Sequence, residues 1–245
     1  RDSTYTIRRD ATWGDGTPVS TKDVDFTWRV GRHKQTGVSG FEFYTRVYKI
    51  DRKNDKIFTL HMDKMFFDYN SIGGFEILPA HLEETIFKAS PVEYRNRTTF
   101  DVDTTNKGLY FGPYRISEVK PGAHVVLVPN ETWWGKKPAF KRVIMRVISN
   151  TAALEANLLS GGIDMISGDL GITIDQALAF EKRHGKNYTI RYKSGLIYEH
   201  LDLNLDNPIL KDKRIRQALI LGLDRAAISK QLFGGRQPVA HTSIN

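Results

Sequence analysis

Residues 6–28 read TIRRDATWGDGTPVSTKDVDFTW, and the stretch changes character halfway along. Alternation at Tyr5 and Ile7 predicts a short strand. Gly14-Asp15-Gly16-Thr17-Pro18 then ends it, because glycine admits dihedrals that other residues avoid and proline fixes its own φ. Ser20 or Thr21 is placed to cap a helix, Asp23 falls in its first turn, and Val24 and Trp28 stand four apart on one face. The helix is predicted from about Lys22 to His33. The stretch is therefore read locally as the end of a strand, a turn and the start of a helix.

The same grammar continues outward. Glycines at 37 and 40 break the chain, and residues 46–62 alternate apolar and polar on both sides of a polar centre. That predicts a β-hairpin turning near Asn54 and Asp55, with Phe58, Leu60 and Met62 on one face. LPAHLEETIF at 78–87 predicts a short helix opened by a proline, and the polar run from Ser90 to Lys107 reads as a loop that separates two lobes near residue 100. Residues 110–130 predict two strands joined by a Pro-Gly turn, and the apolar run at 140–149 predicts a strand buried on both faces. A capped helix with Leu154 and Leu158 on one face, a Gly-Gly stop and another apolar run follow at 150–167, so a βαβ unit with a right-handed crossover is expected. A further capped helix is expected at 173–185 and strand text at 188–205. Two helices are expected within 207–235, capped by Asp212 and Asp224, with Ile215, Ala218 and Leu219 on a buried face and Gly234-Gly235 as the stop.

Composition narrows the function classes. At 245 residues, 40% hydrophobic and 26% charged, the chain has the material for one large domain or two smaller ones. It has no cysteine, which removes disulfides and thiolate metal sites without deciding the compartment. The longest apolar runs, at 125–128 and 218–223, fall short of the roughly 20 residues of a bilayer span. Net charge is +8, yet the 36 Lys and Arg are interspersed with 28 acids, and the richest patches, 136–142 and 211–216, read as solvated faces. No nucleic-acid partner is expected. The seven histidines, at 33, 61, 81, 124, 184, 200 and 241, show no zinc spacing, and the minimal motifs of serine hydrolases, P-loop enzymes and dinucleotide-binding folds are missing. Neither catalysis, a metal nor a cofactor is expected.

Five blocks, taken in order, carry a resemblance: residues 6–28, LPAHL at 78–82, FGPYRISEVKPG at 111–122, LVPNETWWGKKPAFKRVIMRVISNTAALEANLLSGGIDM at 127–165, and LNLDNPILKDKRIRQALILGLDRAAI at 203–228. Together they resemble the extracellular solute-binding proteins of the oligopeptide and dipeptide class, family 5, the substrate-binding components of ABC importers. One departure is LYFGPYR at 109–115, where Tyr110 and Phe111 replace the small residues of the family's Gly-Thr-Gly-Pro-Tyr loop.

The resemblance implies an α/β, periplasmic-binding-protein-like two-lobed clamp, a mixed sheet flanked by helices, of which this chain is an incomplete interior fragment. Residues 1–100 would be an accessory or small-lobe region and 101–205 the sheet core of the first ligand-binding lobe. Residues 206–245 would be the truncated start of the second lobe. It implies capture of oligopeptides or dipeptides and delivery to a membrane permease, in a periplasmic or otherwise extracytoplasmic place that is compatible with a lipoprotein anchor. The alternative is a ligand-sensing module of the same fold inside a transcriptional or signalling regulator. With much of the clamp elsewhere, the isolated chain is expected to fold yet bind solute weakly. Residues 196–205 resemble a hinge-proximal strand, whose alternation places Tyr198, His200 and Asp202 on one face and Glu199, Leu201 and Leu203 on the other. Tyr198 and His200 are the first ligand-binding candidates, Phe41 and Tyr44 the second, and Phe111 and Tyr114 the third. Trp133 and Trp134 are read as cover for a scaffold edge.

Overall fold

The corner at 13–21 forms through contacts that its residue types require. In the computed structural model, which describes residues 2–65, 74–168, 171–193, 195 and 200–241, Asp15 Oδ1 accepts the Thr17 N–H at 2.9 Å. Gly16 takes φ +90°. The Trp13 N–H donates to the Thr17 carbonyl at 2.8 Å, so the turn closes on itself. Strand β1 (Asp2–Thr6) precedes it and helix α1 (Thr21–Gly31) follows. Ser20 caps α1 in a reciprocal box, accepting the Lys22 N–H while its own N–H donates to Asp23 Oδ2 at 2.7 Å.

Asp23 is buried, and its second oxygen, Oδ1, accepts the Ala80 N–H at 2.9 Å. Ala80 opens helix α3 (Ala80–Ala89), so one carboxylate satisfies the starts of two helices. One turn along, Thr27 Oγ1 donates to the Asp23 carbonyl at 2.7 Å and accepts the Leu78 N–H at 2.8 Å. The polar face of α1 thereby holds the segment that leads into α3, while its apolar face packs Val24 on Val47, Phe58, Leu60 and Met62.

The hairpin forms where expected, as β2 (Val47–Arg52) and β3 (Ile57–Met62), in an antiparallel sheet of order β1-β3-β2. Asn54 Oδ1 accepts the N–H groups of Lys56 and Ile57, both at 2.9 Å, and the Thr21 N–H donates to the Asp55 carbonyl, seating the start of α1 on the turn. Helix α2 (Phe41–Arg46), which sequence reading did not foresee, stands between α1 and the hairpin. It places the Tyr44 ring where a Cβ on Gly31 would lie 2.4 Å away, so the last turn of α1 has room only for glycine.

The polar run at 90–107, expected as a loop, contains short helical elements. It folds into a 3₁₀ turn at 94–96, a short helix α4 (Thr99–Val102) and a second 3₁₀ turn at 107–109. Its anchor is Glu83 of α3, fully buried, whose Oε1 accepts the Thr99 N–H at 2.8 Å. Tyr94 packs edge-on against Phe87 at 5.6 Å.

A second antiparallel sheet, of order β4-β5-β6, comprises β4 (Tyr114–Lys120), β5 (His124–Pro129) and β6 (Val143–Arg146), with Gly122 at φ +71° in the expected Pro-Gly turn. The expectation that β6 is buried on both faces is overturned. Ile144 is 42% and Met145 51% exposed, and among the described residues the strand pairs only with β5. An apolar sequence gives a two-sided buried strand only where neighbours cover both faces.

By contacts the chain divides into two compact units, Arg1–Val147 and Ile148–Asn245. In the second, all four expected helices form: α5 (Thr151–Leu159), α6 (Ile174–His184), α7 (Lys213–Leu221) and α8 (Arg225–Phe233). Asn150, Asp212 and Asp224 cap their helices, Thr173 and Gln176 form a capping box, and Gly234 and Gly235 stop α8 at positive φ. The strands expected after α5 and within 188–193 and 200–205 do not form, and no strand occurs among the described residues of this unit. The βαβ unit is corrected accordingly, since a strand needs a hydrogen-bonding neighbour whatever its alternation. The expected buried face of α7 is also corrected: Ala218 and Leu219 are exposed, and with Leu201, Ile215 and Leu223 they line an open apolar groove.

Replacing Asp23 with Ala removes a cap from two helices and leaves a buried N–H unmet, an expected loss of about 2–4 kcal/mol in urea unfolding of this chain. Asp25→Ala, which breaks only the surface pair to Arg29, should cost no more than about 0.5 kcal/mol. Equal effects would show that Asp23 is not the bridge described. Gly31→Ala tests the Tyr44 contact, because helix propensity alone favours Ala by about 1 kcal/mol, whereas steric conflict with the ring predicts destabilisation.

Candidate functional site

The first unit contains a cavity of ≈ 290 Å³, bounded by the end of α1, the loop 36–40, α2, residues 74–78 and the 94–100 segment. Thr36 fixes the loop from beneath: it is buried, and its Oγ1 donates to the carbonyls of Val30 at 3.0 Å and His33 at 2.9 Å. The loop then turns through two left-handed glycines, Gly37 at φ +65° and Gly40 at φ +82°. A Cβ on Gly37 would meet Arg95 Cδ at 3.2 Å.

Two buried tyrosines face this space. Burial, assisted by the Glu76 charge and opposed by the Glu76 backbone, raises the pKa of the Tyr44 hydroxyl. Burial raises the Tyr94 pKa further, with the Glu83 carboxylate as the next cause. Neither the Tyr94 hydroxyl nor Glu83 Oε2 makes a hydrogen bond of good geometry among the described residues. Glu76 and Arg95 add opposite charges to the lining, and neither has an ion-pair partner among the described residues. Arg97, two residues on, does have one, in Glu93 at 2.7 Å. The cavity thus has a mixed lining of aromatic and aliphatic side chains, threonines and two charges without an ion-pair partner among the described residues, a combination that can orient a polar solute.

Of the residues read from sequence as ligand contacts, Tyr44 lines this cavity. Phe41 lies at the start of the same helix, partly exposed, and is not part of the lining. Phe111 sets its ring edge-on to Trp13 at 5.0 Å. The Tyr114 hydroxyl donates to the Phe140 carbonyl at 3.0 Å and accepts its N–H at 3.1 Å, so both its roles are spent on the scaffold. His200 belongs to the second unit, in non-strand backbone, with Nε2 at 3.2 Å from Asp202. Tyr198 lies outside the described residues. Trp133 and Trp134 pack on each other at 4.3 Å with Arg8 over the Trp134 ring, a scaffold arrangement.

Arg95, Glu76, Tyr94 and Thr98 were not foreseen. The signal for Tyr94 was a lone aromatic inside a charged run, but a missing ion-pair partner leaves no mark in sequence. Among the described residues no three His, Asp or Glu come together as a metal-binding group, and no helix is long and apolar enough to cross a membrane.

Comparison with known proteins places this geometry. The model of the bacterial extracellular solute-binding proteins, family 5 Middle, matches residues 1–245, and the chain belongs to that family. The oligopeptide-binding protein AppA of Bacillus subtilis is 26% identical over 237 residues, covering 96% of this chain and 41% of that protein. A putative ABC transporter peptide-binding protein of Brucella ovis is 25% identical over 237 residues, with 95% and 42% covered. Among solved structures, NikZ of Campylobacter jejuni in complex with Ni(L-His) superposes with TM-score 0.79 at 25% identity, covering 99% of this chain and 46% of that one. The oligopeptide-binding protein of Thermus thermophilus, complexed with a pentapeptide, gives 0.77 at 26% identity, with 100% and 46% covered. The fold is that of the family-5 binding proteins, and the chain spans about two fifths of the length of the curated relatives it matches.

Tyr94→Phe separates scaffold from site. Removing a buried hydroxyl that lacks a good hydrogen bond should leave thermal stability unchanged or slightly raised. A drop of more than about 2 kcal/mol in unfolding free energy would mean that the hydroxyl is satisfied by Glu83.

Proposed function

We propose that the longer protein containing this chain is the solute-binding receptor of an ABC importer, which captures oligopeptides or dipeptides between two lobes and hands them to a membrane permease. The observation that carries this reading is the match of the family-5 model along the whole chain, joined by relatives named as peptide-binding proteins. The cavity agrees with it. Tyrosine rings offer apolar cover for an extended chain, while the charges of Glu76 and Arg95 offer polar contacts to its backbone and ends.

In this proposal residues 1–100 are the accessory region, 101–205 supply the sheet core of one lobe and 206–245 begin the other. The receptor works outside the cytoplasmic membrane, in the place that the family's description names, and holds its solute without chemically changing it. Tyr44 contributes to the solute site through the cavity. Tyr198 and His200 remain proposed contacts from the hinge-proximal segment, and Phe41, Phe111 and Tyr114 are proposed to support the site from the scaffold.

Native and then denaturing mass spectrometry of the full-length protein, purified gently from its own compartment, tests the reading. A co-purified spread of short peptides is the expected result. A metal complex or a sugar in their place would replace the ligand class, and an empty protein with no thermal response to a peptide mixture would overturn the receptor assignment.

A further inference from the structure

We propose that Arg95 anchors a carboxylate of the bound solute, making the cavity between loop 36–40 and the 94–100 segment a subsite for the carboxylate-bearing end of a peptide. This rests on the solute-binding reading above and adds to it the chemical group that the subsite selects.

The support begins with the base on which Arg95 stands. It sits in the 3₁₀ turn at 94–96, between Tyr94, which is buried against Phe87, and Thr99, which Glu83 holds at 2.8 Å. The backbone under the guanidinium is therefore fixed on both sides. The direction of the side chain is set by Gly37, whose missing Cβ leaves room for the arginine: an added Cβ would come 3.2 Å from Cδ and 3.3 Å from Nη1. A left-handed glycine and an arginine stem thus form one wall of the cavity.

The chemistry follows from what is missing at the head group. No Asp or Glu among the described residues lies within ion-pair distance of Arg95, although acids are plentiful and its neighbour Arg97 has found Glu93. A guanidinium presents a planar fork of donors that matches a carboxylate with two parallel hydrogen bonds. Glu76, also in the lining and also without an ion-pair partner among the described residues, keeps the net charge of the wall low. That disfavours a multiply charged anion such as a phosphate dianion and suits a single carboxylate on an otherwise neutral or cationic solute. The volume of ≈ 290 Å³ lies just below the about 300–1,000 Å³ typical of small-molecule sites, enough for the end of a peptide and not for its length.

The test uses the full-length protein and two probes, trialanine and trialanine amide, which differ only in the terminal carboxylate. Calorimetric titration should show the acid binding about tenfold or more tightly than the amide, consistent with one charge-assisted contact. Arg95→Ala should abolish the preference for the acid over the amide, and Arg95→Lys should restore part of the difference. Thermal melting of both variants should match the parent, because the side chain is exposed. Equal binding of acid and amide by the parent protein, or a preference that survives in Arg95→Ala, would overturn the carboxylate subsite and leave the receptor reading standing. Failure of the parent to bind either probe would overturn the subsite as well. Mass spectrometry of the co-purified solute then decides the receptor reading separately.

Discussion

The first unit depends on one buried carboxylate. Asp23 accepts the Ser20 N–H through Oδ2 and the Ala80 N–H through Oδ1, so the start of α1 and the start of α3 share a single anion. A buried charge is costly unless its lone pairs are met, and here backbone donors at two helix starts meet them. The consequence reaches the cavity. Its α1 wall, its 74–78 wall and, through Glu83 and Thr99, its 94–100 wall all trace back to elements that Asp23 fixes. The pocket is a by-product of how two helices share one cap.

Local signals were legible in the sequence and pairing was not. Ser20, Asn150, Asp212 and Asp224 announce helices because a cap and its helix lie within four residues of each other. The 46–62 hairpin was legible for the same reason, its turn being closed by Asn54 within its own loop. Residues 188–193 and 200–205 alternate just as well yet are not strands, because the partner that would fix them is not local. The 90–107 run was misread in the other direction. Its polar composition hid Tyr94 and Thr99, whose anchors on Phe87 and Glu83 lie several residues to more than a dozen residues back along the chain.

The same division governs the site. Tyr44 was reached by its position after the first helix, and its presence in the lining follows from Gly31, whose bare Cα admits the ring. Arg95 and Glu76 read as two charges among 64 and become informative only when coordinates show that neither has an ion-pair partner among the described residues. Phe111 and Tyr114 stand outside the lining, Phe111 against Trp13 and Tyr114 against the Phe140 backbone.

The open edge of β6 has a meaning for solubility. A strand that exposes Ile144 and Met145 beside an edge unpaired among the described residues is a template on which further copies can stack. In this chain the exposed pair is bracketed by Arg142 and Arg146, and a second chain approaching in antiparallel alignment would bring like charges toward one another. Such flanking cations act as gatekeepers: they leave the strand free to pair within its own protein while penalising its addition to another molecule of the same kind.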